Sequence, residues 1–187
     1  WFGDWQNHPE TASKVVNADG TPRVVYHGTN AEFTVFDRTK GAKKVHLNVL
    51  GDGNYFTSSR DAASHYYGEN VVAAYLDIKN PYVMKDGFNT VADQIASEFG
   101  IARDSFKGSD VSSILRQRGY DGVINYDSNG DVAVANAFSS NQIKSATDNI
   151  GTFDSGNPDI RYSTRAEEVD FEERKVYNRK KSARYIQ

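Results

Sequence analysis

The sequence predicts an α+β domain, on three observations. Its 187 residues are 38% hydrophobic and 12% aromatic, enough for one compact unit with a core of its own. Short apolar runs bounded by Gly, Asn and Pro are interspersed with segments whose apolar residues recur at three- and four-residue spacing, so strands and helices are mixed. The turn Asp127-Ser128-Asn129-Gly130 separates two strand-like runs, Val123-Ile124 and Val132 to Phe138, and makes them a hairpin or an adjacent pair.

In chain order, Trp1, Phe2 and Trp5 are apolar anchors in a polar opening that turns at Asn17-Ala18-Asp19-Gly20. A buried strand then spans Thr21 to Tyr26 and ends at His27-Gly28-Thr29, where Gly28 permits close backbone approach. A loop with Phe33, Val35 and Phe36 leads through the basic stretch Lys40 to Lys44 to the turn Gly51-Asp52-Gly53-Asn54, ahead of Tyr55-Phe56. Ser59-Arg60-Asp61 starts a short helix reaching about Gly68, with Ala62, Ala63 and Tyr66 close together on its surface. A strand from Val71 to Ile78 is broken by Asn80-Pro81, and extended structure resumes at Tyr82 to Met84. Val91, Ile95 and Phe99 predict a helix over Phe88 to Phe99, and a further helix spans Asp110 to Arg118. Past the hairpin, Asp154 to Pro158 is turn-rich. The domain is expected to occupy residues 1–163 with a lead-in over 1–20, and the charged run 164–187 is a linker or solvated helix.

Composition removes several function classes. A net charge of −3 gives no global basic footprint for nucleic acid. Without cysteine there is no disulfide scaffold, thiolate zinc site or cysteine nucleophile. No apolar run approaches the roughly 18 residues that span a bilayer, and the opening Trp1 to Trp5 lacks a basic region followed by a hydrophobic one. The expectation is a soluble domain, and, since it begins with Trp1, one excised from a longer polypeptide.

His27 at a strand end reads either as a structural histidine or as a ligand-binding one. The neighbouring Gly28-Thr29, a second strand opening at Tyr55 and a helix carrying Tyr66 favour a ligand, because aromatic faces and backbone amides suit a planar ring bearing a carboxamide. His46 and His65 lack metal-site spacing, and no metal is expected. Asp52, Asp121, Asp127 and Asp131 stand in turns where aspartate caps its own backbone. The basic residues between Arg174 and Arg184 follow a run of acids and read as a self-pairing solvated helix.

Together, Tyr26-His27-Gly28-Thr29, Gly53 to Ser59, Tyr66 and Phe138 to Ser145 resemble the three motifs of the His-Tyr-Glu class of ADP-ribosyltransferases. The order Trp-Phe-Gly-Asp-Trp, His-Gly-Thr, Tyr-Phe-Thr-Ser, Gln142-Ile-Lys-Ser-Ala-Thr-Asp-Asn149 and Asn157-Pro-Asp-Ile-Arg-Tyr-Ser163 is more closely similar to the transferase domain of polyvalent proteins from phages and conjugative elements. The resemblance implies an ADP-ribosyltransferase fold with a split antiparallel β core, flanking helices and NAD in the cleft as substrate. It implies that the Gly28 backbone grips the nicotinamide carboxamide, His27 bonds the adenosine-side ribose, Tyr66 stacks on nicotinamide and Tyr55 positions it, with Thr29 and Ser64 as polar contacts. An acid normally stabilises the oxocarbenium-like charge at the ribose carbon.

Here the sequence departs from the pattern. Counted as in the eukaryotic poly-ADP-ribose polymerases, the acid falls at Val134, leaving Gln142 and Asp131 as stand-ins beside His27 and Tyr55. Gln142 has a second reading, a strand-end hydrogen bond that fixes the loop before the final segment. The implied activity is transfer of ADP-ribose to a macromolecular acceptor, a host protein before nucleic acid, in the bacterial cytoplasm and carried by a mobile genetic element. NAD hydrolysis and a non-catalytic NAD or ADP-ribose binding module are the alternatives.

Overall fold

Pro22 has no amide hydrogen to place in a ladder, and residues 22–23 pair instead with the N-terminal segment: Val16 bridges Pro22, and the Arg23 amide donates to Val15. The first strand of the sheet, β1, therefore starts later than its apolar run, at Val25–Thr29, and takes His27-Gly28-Thr29 into the sheet. The computed structural model describes residues 2–37, 48–149 and 154–161, except the side chains of Asn48, Tyr66 and Tyr67. The basic stretch 40–44, His46 and the charged run 164–187 lie outside these residues.

The other elements are β2 (Asn54–Thr57), α1 (Arg60–Tyr67), β3 (Asn70–Leu76), β4 (Pro81–Val83), α2 (Val91–Phe99), α3 (Val111–Arg116), β5 (Gly122–Tyr126), β6 (Val132–Ala137) and β7 (Ile143–Ser145). Local chemistry sets the helix ends. The Ser59 hydroxyl accepts the Ala62 amide at the start of α1, and Thr90 accepts the Asp93 amide at the start of α2. Gly100, in the left-handed region, ends α2.

The strands form one sheet in the order β4-β5-β6-β2-β1-β3-β7. All described pairs are antiparallel except β4 with β5, which are joined by the crossover through α2 and α3 and run parallel. The sheet is thus antiparallel but for this one parallel pair at its edge. It is also split: β1 and β2 share the single register pair Tyr26↔Thr57, whereas β1 meets β3 from Val25↔Ala74 to Thr29↔Asn70. The two halves curl towards each other, since Gln142, just before β7, reaches carbonyls at Asp77 after β3 and at Asp121 before β5.

The curl encloses one core cluster, drawn from both halves, that includes Val25, Phe56, Leu76, Ile124, Ala135 and Ile143. A second, with Tyr82, Ile95, Leu115, Val123 and Phe138, lies between the β4-β5-β6 half and helices α2 and α3. The α+β class and the split core follow from this arrangement.

Candidate functional site

The seam between β1 and β2 is where His27 lies. Its ring packs in the first cluster, edge-on to Phe36 at 4.9 Å and Phe33 at 6.2 Å, and tilted against Phe56 at 5.4 Å. Nδ1 lies 2.7 Å from the carbonyl oxygen of Tyr55. A carbonyl only accepts, so Nδ1 carries the hydrogen. Burial pushes the imidazole below its ordinary value, outweighing the opposing effect of that carbonyl. The ring is therefore neutral near pH 7, and Nε2 presents a lone pair. This is a fixed acceptor suited to a hydroxyl group.

Gly28, buried in β1, stands opposite Val71, and Thr29 opposite Asn70. The Thr29 hydroxyl accepts the Ala31 amide, turning the chain out of the strand. Helix α1 packs on β1 and ends at Gly68, with φ of 143°, directly over the Thr29-Asn30 backbone. Tyr66 lies in the last turn of α1, and Ser64 is on its exposed side.

The structure joins Tyr55 to His27 through the Tyr55 backbone. The Tyr55 ring packs on the other face, against the second cluster, and its hydroxyl donates to the Gly51 carbonyl. The same turn is held by Asn136, fully buried on β6 opposite Tyr55, whose Nδ2 donates to Leu50 at 2.9 Å and Gly51 at 3.3 Å. Asn136 Oδ1 is buried against Gly53, where an added Cβ would stand 1.9 Å from it. Sequence reading passed over Asn136. The available signal was a lone amide in an otherwise apolar strand.

The candidates for the third residue lie elsewhere. Val134 packs against the second cluster. The Asp131 carboxylate is bound by the Arg23 guanidinium, four residues before Ala135, the β6 partner of Phe56. Gln142 stands abreast of Asp77, to which its carbonyl is bonded, whereas His27 stands abreast of Val72. Those five residues of β3 correspond to about 17 Å of extended chain. The Gln142 amide group is committed: Nε2 donates to Asp77 and Asp121, both at 2.9 Å, and Oε1 accepts the Ser139 amide at 2.8 Å. A surface depression of about 440 Å³ lies beside it, lined by Asp77, Arg116, Tyr120 and Phe138 among others. Neither His27 nor Tyr55 lines it. Among the described residues no cluster of His, Asp or Glu could hold a metal ion, and no helix is long and apolar enough to cross a membrane.

Residues 17–153 match the family described as ADP-ribosyltransferase in polyvalent proteins. The chain belongs to that family. No curated protein matches it. A solved structure described as an anti-CRISPR protein is 15% identical with a TM-score of 0.36, over 64% of this chain and 90% of that one.

In this polyvalent-protein ADP-ribosyltransferase domain, the neutral histidine has a consequence for stability. His27 titrates below 6.5 when folded and near 6.5 when unfolded. The unfolded chain therefore takes up its proton first as pH falls, and stability drops from pH 6.5 downward until the folded-state midpoint is passed. Thermal midpoints measured against pH should show this component in the parent and lack it in His27→Gln. Identical profiles would mean that the ring is not held neutral.

Proposed function

We propose that this domain transfers ADP-ribose from NAD to a macromolecular acceptor. What supports this reading, beyond family membership, is the neutral His27: Nδ1–H is tied to the Tyr55 carbonyl and Nε2 is left as an acceptor at the split between β1 and β2. Such an acceptor fits a ribose hydroxyl, and the adjacent Gly28 backbone and Tyr66 fit a nicotinamide held by its carboxamide and its face. Thr29 and Ser64 are proposed as polar contacts. In the reaction the bond between the ribose C1′ and nicotinamide breaks, nicotinamide leaves with the electron pair, and an acceptor nucleophile bonds C1′ and gives up its proton. With a net charge of −3, a protein acceptor is favoured over nucleic acid. The setting proposed is the bacterial cytoplasm, with the domain carried in a larger protein of a mobile element.

A second reading, an NAD-binding module without transfer, is favoured by one observation: Val134, Asp131 and Gln142 offer no uncommitted acid to the His27 seam. Chromatography of free nicotinamide from the purified chain with NAD separates the two. Release is expected, and His27→Ala is expected to lower it about tenfold or more, the worth of one lost hydrogen bond with its packing. If nicotinamide stays bound in NAD while NAD still raises the thermal midpoint, the module reading replaces the transferase. Release that matches consumption of NAD with nothing attached to protein would identify water as the acceptor.

A further inference from the structure

Lys144, in the middle of β7, has no exposed surface. A buried ammonium needs hydrogen-bond partners to offset its lost hydration. It donates to the carbonyls of Asn157 at 2.5 Å and Asp159 at 2.9 Å. Those carbonyls belong to a short strap, residues 157–160, that lies between β7 and the loop over His27. On one side the Ser145 amide donates to Ile160; on the other the Ile160 amide donates to Thr34, both at 2.8 Å, and Val35 bridges Asp159. Thr34 and Val35 separate Phe33 from Phe36, the two rings packed edge-on to the imidazole. Ile160 is buried in the same cluster as Phe36.

We propose that Lys144 is a positioning residue for His27, acting through the strap at residues 157–160 and the aromatic cover formed by Phe33 and Phe36. The proposal rests on the reading that His27 is the ligand-facing group. Lys144 contributes no atom to the seam. Its hydrogen bonds to the Asn157 and Asp159 carbonyls fix the height of the strap, the strap fixes residues 34–35, and these fix the rings that exclude water from His27. The direction of the His27 shift agrees, since burial is its main cause and no charged side chain contributes to it. The arrangement also gives a physical role to residues of two stretches, Gln142 to Asn149 and Asn157 to Ile160: one carries the ammonium and the other the carbonyls it holds.

The test uses the 187-residue chain and NMR titration of the His27 ring, assigned by its absence in His27→Gln. Lys144→Met keeps the length of the side chain and removes the donors. The His27 midpoint is expected to rise towards 6.5 as water reaches the ring, and Lys144→Arg to restore part of the difference. Ile160→Ala leaves the ammonium in place but undercuts the strap, and should move His27 in the same direction. Leu115→Ala, in the second cluster, should lower the thermal midpoint without moving His27. If Lys144→Met and Ile160→Ala fold and leave the His27 titration where it was, or if Leu115→Ala moves it equally, the proposal is overturned. The titration needs no NAD, so it holds or fails independently of whether nicotinamide is released. Should Lys144→Met not fold, Ile160→Ala decides alone.

Discussion

Replacing Gly68 by alanine is expected to cost about 3 kcal/mol or more and to abolish thermal protection by NAD. Two penalties combine. The φ of 143° with ψ of 157° at this position is a region open in practice to glycine alone. An added Cβ would also stand 2.4 Å from the Thr29 carbonyl carbon, 2.7 Å from its oxygen and 2.8 Å from the Asn30 nitrogen. These are backbone atoms at the end of β1, and they cannot swing aside as a side chain would. Either α1 lifts from β1 or β1 moves, and either motion displaces Gly28 and Thr29 from Tyr66. Gly130→Ala serves as the reference. Its φ of 81° is also positive, but nothing lies within 4 Å of the added Cβ, so only a dihedral cost of about 1 kcal/mol is expected. Urea unfolding of both variants measures the difference. A Gly68→Ala midpoint no lower than that of Gly130→Ala would show that α1 does not press on Thr29 as described.

This close approach was not legible in the sequence, where Gly68 reads as the end of a helix and no more. What was legible is local. Ser59 ahead of Arg60-Asp61 gave α1, the spacing of Val91, Ile95 and Phe99 gave the body of α2, and the turn at Asp127 to Gly130 gave β5 and β6 as an antiparallel pair. The misses have physical causes. The short strand β7, at Ile143–Ser145, has too few residues to show a period. The pairing of β2 with β6 and the parallel pairing of β4 with β5 join residues far apart in the chain, which no local pattern encodes. Lys144 has the residue type of a surface side chain, and carbonyls of a segment thirteen to fifteen residues on help make its burial tolerable. At the seam, the sequence pointed to His27 and Tyr55 as neighbours. It could not tell that they meet through a backbone carbonyl while the Tyr55 ring faces the other side of the sheet.

Gln142 was open to two readings in the sequence, and the fold gives it a mechanical task with a measurable size. The sheet curls because the segment before β7 is tied at once to the end of β3 and to the start of β5, and the Gln142 side chain makes both ties while holding the Ser139 amide. Gln142→Leu keeps most of the volume and removes all of them, leaving two acceptors and one donor to find water or go unpaired. The expected loss is about 2–4 kcal/mol. Glutamate should not rescue it. A carboxylate can still accept from Ser139 but cannot donate to the two carbonyls, and it would stand near Asp77, a carboxylate already pushed up by burial, and near Asp121. A glutamine that serves the curl and not the chemistry predicts that Gln142→Leu, assayed well below its unfolding midpoint, releases nicotinamide at close to the parental rate per folded molecule. A stable variant with release lowered a hundredfold would instead place this amide in the reaction, and would overturn its separation from His27 by about 17 Å of extended strand within the same half of the sheet.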